Sequence, residues 1–129
     1  MMKQETAEHY LRVILQLKKR YGAVRAVQIA DELHVSRPTV CVALKELKRC
    51  GYAYDYDDHE IRLTQYGEKI ASAITERCSF MQMLLTVLGV DPEVAEKDAN
   101  LLGHDMSDVS YGALRSFAMD HLPQKLQKQ

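Results

Sequence analysis

The stretch VQIADELHVSRPTVCVALKELKRCG, residues 27–51, decides the fold because it encodes two short helices separated by a tight polar corner. The first helix is predicted over Val27–Leu33. Ser36 has a side-chain oxygen that can cap a helix start, and Pro38 stands in the first turn, where its missing N–H costs little. The second helix is predicted to run to about Cys50, where a glycine stops it. Two helices joined in this way are typical of a helix-turn-helix.

The packing of this motif follows from the sizes and spacing of its side chains. Ala30 is small enough to lie where the two helices cross, and Val35 is expected to be buried at the corner. Val40, Leu44 and Leu47 recur at helical spacing and are expected to face inward from the second helix.

The flanking segments extend the motif to a winged helix. Residues 5–21 carry an apolar stripe at three-to-four spacing and predict an amphipathic helix. The stripe consists of Tyr10, Val13, Ile14, Leu17 and Tyr21. Residues 52–64, YAYDYDDHEIRLT, alternate on both sides of Asp57-Asp58, which predicts a β-hairpin. A hairpin directly after a helix-turn-helix is the wing of a winged helix.

Three more helices are predicted after the wing. Thr64 can cap a long helix from about Gln65 to Leu88, Asp91 and Pro92 open a fifth that ends near Asp105, and Ser107 opens a sixth that ends at Pro123. Their apolar stripes lie on too few helices to close a core of their own, which favours a dimer interface. The predicted fold is mainly α with a small β-hairpin, a winged helix-turn-helix over residues 1–67 and a helical dimerisation region over residues 68–129.

Composition limits the class of protein. The chain has 129 residues, 47% of them apolar, and a net charge of −1, so it can bury a core. Residues 1–67 carry 11 Lys and Arg against 9 Asp and Glu, whereas residues 68–129 carry 6 against 9. The N-terminal half is therefore the better candidate for contact with a polyanion.

The compartment follows from apolar runs and cysteines. There is no run of about 18 apolar residues for a membrane span and no secretory signal, so we expect a cytoplasmic protein without a membrane partner. Cys41, Cys50 and Cys78 show no paired spacing, as expected of reduced thiols. An enzyme is not expected, since no nucleophile–base pair, phosphate loop or HExxH motif occurs.

The second helix of the motif is expected to lie in the DNA major groove, with its leading end at the base edges. Arg37 is the best candidate for base readout because its fork matches the O6/N7 edge of guanine. Taken singly, each such residue could equally be a solvated surface residue. The candidate DNA-binding residues are Ser36, Arg37, Pro38, Thr39, Lys45, Lys48, Arg49 and Arg62.

The predicted wing is acidic. Asp55, Asp57, Asp58 and Glu60 would meet phosphates unfavourably, and only Arg62 and His59 are expected to offset them. Either the wing stays off the DNA backbone, or binding is weak and depends strongly on salt.

Three segments, VQIADELHVSRPTV, IRLTQYGEKIA and LLTVLGVDPEVAEKDANLLGHDMS, resemble the DtxR/MntR family of metalloregulatory repressors. The resemblance extends from Thr6 to about Leu122 and is to the short, manganese-responsive form, without an SH3-like domain. It implies a homodimer built through the C-terminal helices. It also implies two recognition helices on an inverted-repeat operator in double-stranded DNA, and metal-dependent repression of metal-uptake genes.

The resemblance also implies where a metal sensor would lie, and this chain departs from the family there. The family's ligand positions read His9, Arg12, Cys78, Asn100, Gly103 and His104. Only the last is unchanged, and three carboxylate positions have become Arg12, Asn100 and Gly103. His9, Cys78 and His104 would form a softer set, suited to Zn²⁺ or another divalent transition metal, with Glu96 or Asp105 as a fourth ligand.

Other interpretations of these positions stay open. The metal site could be vestigial, and Arg12 could replace the ion permanently by pairing with Glu96 or Asp105, so that DNA binding needs no metal. The vestigial pocket could also admit an organic ligand, giving a small-molecule-responsive repressor. A different class remains as well, a winged-helix protein-interaction module whose acidic wing no longer contacts DNA.

Overall fold

The predicted order of three helices, a hairpin and three helices is confirmed. The structure is a computed structural model that describes residues 2–122, apart from the side chains of Gln4 and Glu5. Its elements are α1 (Gln4–Tyr21), α2 (Ala26–Leu33), α3 (Arg37–Arg49), β1 (Ala53–Asp55), a 3-10 turn (Asp57–His59), β2 (Ile61–Leu63), α4 (Gln65–Val87), α5 (Pro92–Asp105) and α6 (Asp108–His121). The chain forms two compact units, one up to Ala73 and one from Ile74 onward.

The corner between α2 and α3 is built by local signals. His34 ends α2 in a left-handed conformation with φ 57°, and the Val35 amide then donates to the Ala30 carbonyl at 3.1 Å. Ser36 caps α3 by accepting the Thr39 amide at 3.2 Å. The expectation that Val35 is buried is wrong, because its side chain is 38% exposed. All three corner residues, 34–36, are exposed, so none of the residues described between 2 and 122 covers the turn.

The first unit closes one apolar core around α1, α2 and α3. The inward positions predicted for α3, Val40, Leu44 and Leu47, are buried, and Ala30 is buried with them. Tyr21 is an exception to the predicted stripe of α1. It is exposed at the last residue of the helix, where the Arg20 guanidinium lies 5.6 Å from its ring centroid.

The wing is a two-stranded antiparallel hairpin held against the rest of the first unit. Ala53 pairs with Leu63 and Asp55 with Ile61. The Ile61 amide also donates to the carbonyl of Val24, in the loop between α1 and α2, at 2.7 Å. At the start of α4, Gly67 approaches the Tyr52 carbonyl so closely that a Cβ would overlap it.

The second unit comprises the later part of α4 with α5 and α6. The predicted caps are confirmed, since Asp91 accepts the Glu93 amide and Ser107 accepts the Ser110 amide, both at 3.2 Å. A small cluster of Phe80, Met81, Leu84, Ala99 and Ala118 forms its core. Leu88, predicted on the inner face of α4, lies beyond the helix end and is exposed. Pro123, the predicted end of α6, lies outside the described residues.

Between residues 2 and 122, no helix has the length and apolar character needed to cross a membrane.

Candidate nucleic-acid interface and effector positions

The leading end of α3 is open to solvent. Ser36, Arg37, Pro38 and Thr39 are all exposed, as sequence reasoning predicts for a surface that contacts DNA. The Ser36 and Thr39 hydroxyl oxygens lie 2.8 Å apart, so the capping interaction also fixes both side chains. A capped helix start presents backbone N–H groups and a positive dipole end, which together favour contact with phosphate.

The exposed face of α3 includes a residue that sequence reasoning missed. Val42 is 70% exposed and lies four residues after Pro38 and three before Lys45, so the three share one face. An apolar side chain on the outward face of an amphipathic helix was the available signal. Such a side chain can contact the methyl group of thymine in the major groove.

The cations of this surface fall into two classes. Among the described residues, Arg37 and Lys45 form no ion pair. Arg49, by contrast, donates twice to Glu46, from Nη2 at 2.5 Å and from Nε at 3.0 Å. These hydrogen bonds lower the pKa of the Glu46 carboxyl and so keep it charged beside Arg49.

Three of the four acidic wing residues are neutralised by ion pairs. Lys48 Nζ lies 2.9 Å from an oxygen of Asp55. Arg62 Nε lies 2.7 Å from an oxygen of Glu60, and its guanidinium lies 3.5 Å from the ring centroid of Tyr56.

The tip of the wing is held by Arg25. Its Nη2 donates to the Asp58 carboxylate and its Nε to the Asp58 carbonyl, both at 3.1 Å. Sequence reasoning named only Arg62 and His59 as offsetting charges and missed Lys48 and Arg25. Asp57 is the wing acid for which the described residues provide no ion pair.

A groove of about 540 Å³ separates α3 from the wing. Lys45 and Lys48 line its helix side, and Asp55 and Tyr56 line its wing side. The wing acids are therefore part of the same surface as the candidate DNA-binding cations, and any phosphate that reaches Lys48 also approaches Asp55.

Two of the positions that the resemblance assigns to metal ligands, His9 and Arg12, lie in the first unit and contact each other. Arg12 is buried, with 7% exposure, and its Nη2 lies 3.1 Å from His9 Nδ1. A guanidinium can only donate, so His9 Nδ1 accepts this hydrogen bond with its lone pair. That nitrogen is therefore engaged by a positive group rather than presented to a metal ion.

In the second unit, Cys78 occupies the space that a side chain at position 103 would need. Cys78 is buried on α4, and a Cβ built on Gly103 of α5 would overlap its Sγ. The residues present therefore do not fit the acid-rich site that the resemblance implies. Asn100 and His104 are half-buried, whereas Glu96 and Asp105 are exposed.

Across the part of the chain that the structure describes, no three His, Cys, Asp or Glu side chains form a group that could hold a metal ion. Of the predicted soft ligands, His9 lies in the first unit and Cys78 and His104 in the second. Zinc ligation by these three residues stays a prediction.

Two family models match the chain almost end to end. Residues 2–59 match the iron dependent repressor N-terminal DNA binding domain. Residues 64–122 match the iron dependent repressor metal binding and dimerisation domain.

Individual relatives agree with these matches. The chain is 35% identical over 119 residues to the transcriptional regulator MntR of Escherichia coli, covering 92% of this chain and 77% of that protein. It is 30% identical over 105 residues to the diphtheria toxin repressor of Corynebacterium diphtheriae, covering 81% of this chain and 46% of that protein. Among solved structures, the manganese regulator SloR superposes with a TM-score of 0.75 at 26% identity, covering 91% of this chain and 54% of that chain.

Proposed function

This chain belongs to the iron-dependent repressor family of DNA-binding transcription regulators, and from that premise we propose that it represses metal-homeostasis genes as a homodimer on an inverted-repeat operator. One observation carries the proposal. The capped leading turn of α3 is exposed, and it presents Arg37 outside every ion pair of the described residues. Such a repressor works where the chromosome is, so the proposed compartment is the cytoplasm.

Within this proposal, α3 enters the major groove and each side chain has one task. Arg37 donates two hydrogen bonds to a guanine, and Val42 contacts a thymine methyl. Ser36 and Thr39 bind phosphate at the helix start, where the dipole is favourable, and Lys45 adds a sequence-independent charge contact. Two copies of α3 in one dimer would then read two half-sites.

The test of DNA readout begins by selecting bound duplexes from a random-sequence pool and footprinting the result. An inverted repeat is expected. Arg37→Ala should weaken binding to the selected operator by about 1–3 kcal/mol and relax the preference at one base position. Lys45→Ala is the matched control, since it should weaken operator and random duplex alike. An equal loss on both duplexes for Arg37→Ala would remove Arg37 from base readout.

The homodimer is supported by the match of residues 64–122 to a dimerisation domain and by exposed apolar side chains on α5 and α6. Contiguous exposed apolar surface is typical of an interaction site. Leu101 of α5 and Val109 and Phe117 of α6 are the most exposed of them.

We further propose that this repressor binds its operator without a metal ion. The buried Arg12 guanidinium provides a permanent positive charge, and no acid remains at positions 12, 100 and 103. The pairing of Arg12 with Glu96 or Asp105 belongs to this proposal. Chelator treatment should therefore leave operator affinity unchanged, whereas Arg12→Ala should lower it, because the fixed positive charge that takes the place of the ion is lost.

A repressor that needs Zn²⁺, bound by the soft ligand set, is the second candidate function, and the match to a metal binding domain supports it. It predicts the opposite result of chelator treatment. If His9, Cys78 and His104 hold Zn²⁺, a chelator abolishes operator binding and stoichiometric Zn²⁺ restores it. His104→Ala and Cys78→Ser would then each remove the response. This pattern would overturn metal independence and leave the operator proposal intact.

A further inference from the structure

We propose that Asp55 is a positioning residue that holds Lys48 away from the DNA backbone and thereby limits sequence-independent binding to DNA. The inference rests on the proposed operator-binding function. It assigns to the acidic wing a role in setting how tightly the protein binds any duplex.

The ion pair between the two residues bridges the groove. Lys48 Nζ on α3 lies 2.9 Å from an oxygen of Asp55 on β1, and the side chains are 32% and 60% exposed. Both residues line the groove between α3 and the wing. The partly buried lysine is thus drawn toward the wing, while the more exposed carboxylate faces solvent beside it.

Lys48 and its neighbour Lys45 on α3 differ in their ion pairing. Lys45, one turn earlier on the same helix, forms no ion pair within the described residues and can approach a phosphate directly. Lys48 must first leave Asp55, and the released carboxylate then faces the same phosphate. The phosphate contact of Lys48 is therefore opposed twice, once by the lost ion pair and once by repulsion between like charges.

The consequence falls on non-specific binding. Phosphate contacts carry no direct sequence information and supply essentially all of the affinity for random DNA. Withdrawing Lys48 from the backbone leaves fewer such contacts, so the protein is less retained on random sequence. Base readout by Arg37 is untouched, because Arg37 lies at the other end of α3.

The experiment measures binding of the full chain to a labelled pool of random-sequence duplexes over a series of salt concentrations. Asp55→Asn should raise the affinity roughly tenfold and steepen the slope of log K against log salt by about 0.9, the value for one added phosphate contact. The slope is the decisive readout, since a merely structural role for Asp55 would not add a phosphate contact.

Asp57→Asn is the matched control. It removes the same charge from the same wing but releases no cation, because no ion pair holds Asp57 among the described residues. It should change the slope far less than Asp55→Asn. In a Lys48→Ala background, Asp55→Asn should lose its effect on the slope.

Equal or Lys48-independent effects of the wing substitutions would overturn the inference, and so would a steepened slope in a variant with the two residues of the ion pair exchanged. Equal effects of Asp55→Asn and Asp57→Asn, or a full effect of Asp55→Asn without Lys48, would mean that the wing acids act only through their own charge. Neither result would bear on the proposed operator binding, because the wild-type protein would still prefer a selected operator to the random pool.

The swapped pair, Lys48→Glu with Asp55→Lys, keeps an ion pair across the groove and should leave the salt slope near that of the wild type. A slope steepened as in Asp55→Asn would count against the inference.

Discussion

The two compact units bury apolar surface to very different extents. The core cluster of the first unit has seventeen buried members within the described residues, and that of the second unit has five. Both units expose large hydrophobic side chains, but those of the first unit are three valines and four tyrosines, whose hydroxyl groups favour water. Those of the second unit carry no polar group and are Leu88, Val94, Leu101, Leu102, Val109, Leu114 and Phe117. The difference teaches that the first unit has the larger core of its own, whereas the second unit presents exposed aliphatic surface of the kind found at interaction sites.

The largest expected effect tests the self-sufficiency of the first unit. Leu47 is fully buried on α3, so Leu47→Ala should lower the free energy of unfolding by about 2–5 kcal/mol, from lost burial and the cavity left behind. Urea denaturation measures the change. The same substitution at Leu101, which is 65% exposed, should cost within about 0.5 kcal/mol in dilute, monomeric protein. A comparable loss at both positions would contradict the contrast between the two units.

An intermediate effect is expected at the contact between α4 and α5 and tests how tightly the second unit is packed there. Gly103→Ala drives a Cβ onto Cys78 Sγ and should cost about 1–3 kcal/mol of unfolding free energy. Adding Cys78→Ala removes the sulfur and should recover part of that loss in a double-mutant cycle.

The control for this cycle is another helical glycine of the same unit. Gly112 of α6 has open space where a Cβ would be added, so Gly112→Ala should stabilise the protein by about 0.5–1 kcal/mol. If Gly103→Ala were as well tolerated as Gly112→Ala, the overlap with Cys78 would not exclude a side chain at position 103.

The smallest expected effect sharpens the comparison at the proposed dimer surface. Val109→Ser combined with Phe117→Ser removes exposed apolar groups of α6 and should leave monomer stability nearly unchanged. The dissociation constant of the dimer should rise about tenfold, equivalent to ~1.4 kcal/mol. Sedimentation equilibrium measures the dissociation constant. Serine is a suitable replacement because α6 already has exposed serines at positions 110 and 116. An unchanged dissociation constant would place the partner surface elsewhere.

Most of the fold could be predicted because its signals are local. Ser36, Asp91 and Ser107 each cap a helix within three residues of themselves, and the apolar periodicity gives the inward faces of α1 and α3. Exposure at the corner could not be predicted in this way. Val35 lies outside any periodic segment, so its burial depends on what packs over the turn rather than on its own neighbours along the chain.

The candidate site divides in the same manner. The start of α3 at Ser36 follows from helix capping and was predicted, whereas the charge pattern of the wing depends on tertiary contacts. Arg25 and Asp58 are 33 residues apart, and nothing in either local sequence indicates that they meet. The overlap between Gly103 and Cys78 is similarly a contact between two helices, which a list of ligand positions cannot show.

Hydrogen bonds from Ile61 to Val24 and from Arg25 to Asp58 attach the wing to the loop between α1 and α2. Strands of three residues are too short to hold an orientation by themselves, so the wing depends both on this loop and on Ala53 and Ile61, which are buried in the core of the first unit. A substitution at Arg25 would therefore loosen the wing tip without changing any residue of the hairpin. The tip can in turn change its own sequence and keep half of this anchorage, because any residue at position 58 has the carbonyl that accepts Arg25 Nε, whereas the Nη2 contact needs a side-chain acceptor there.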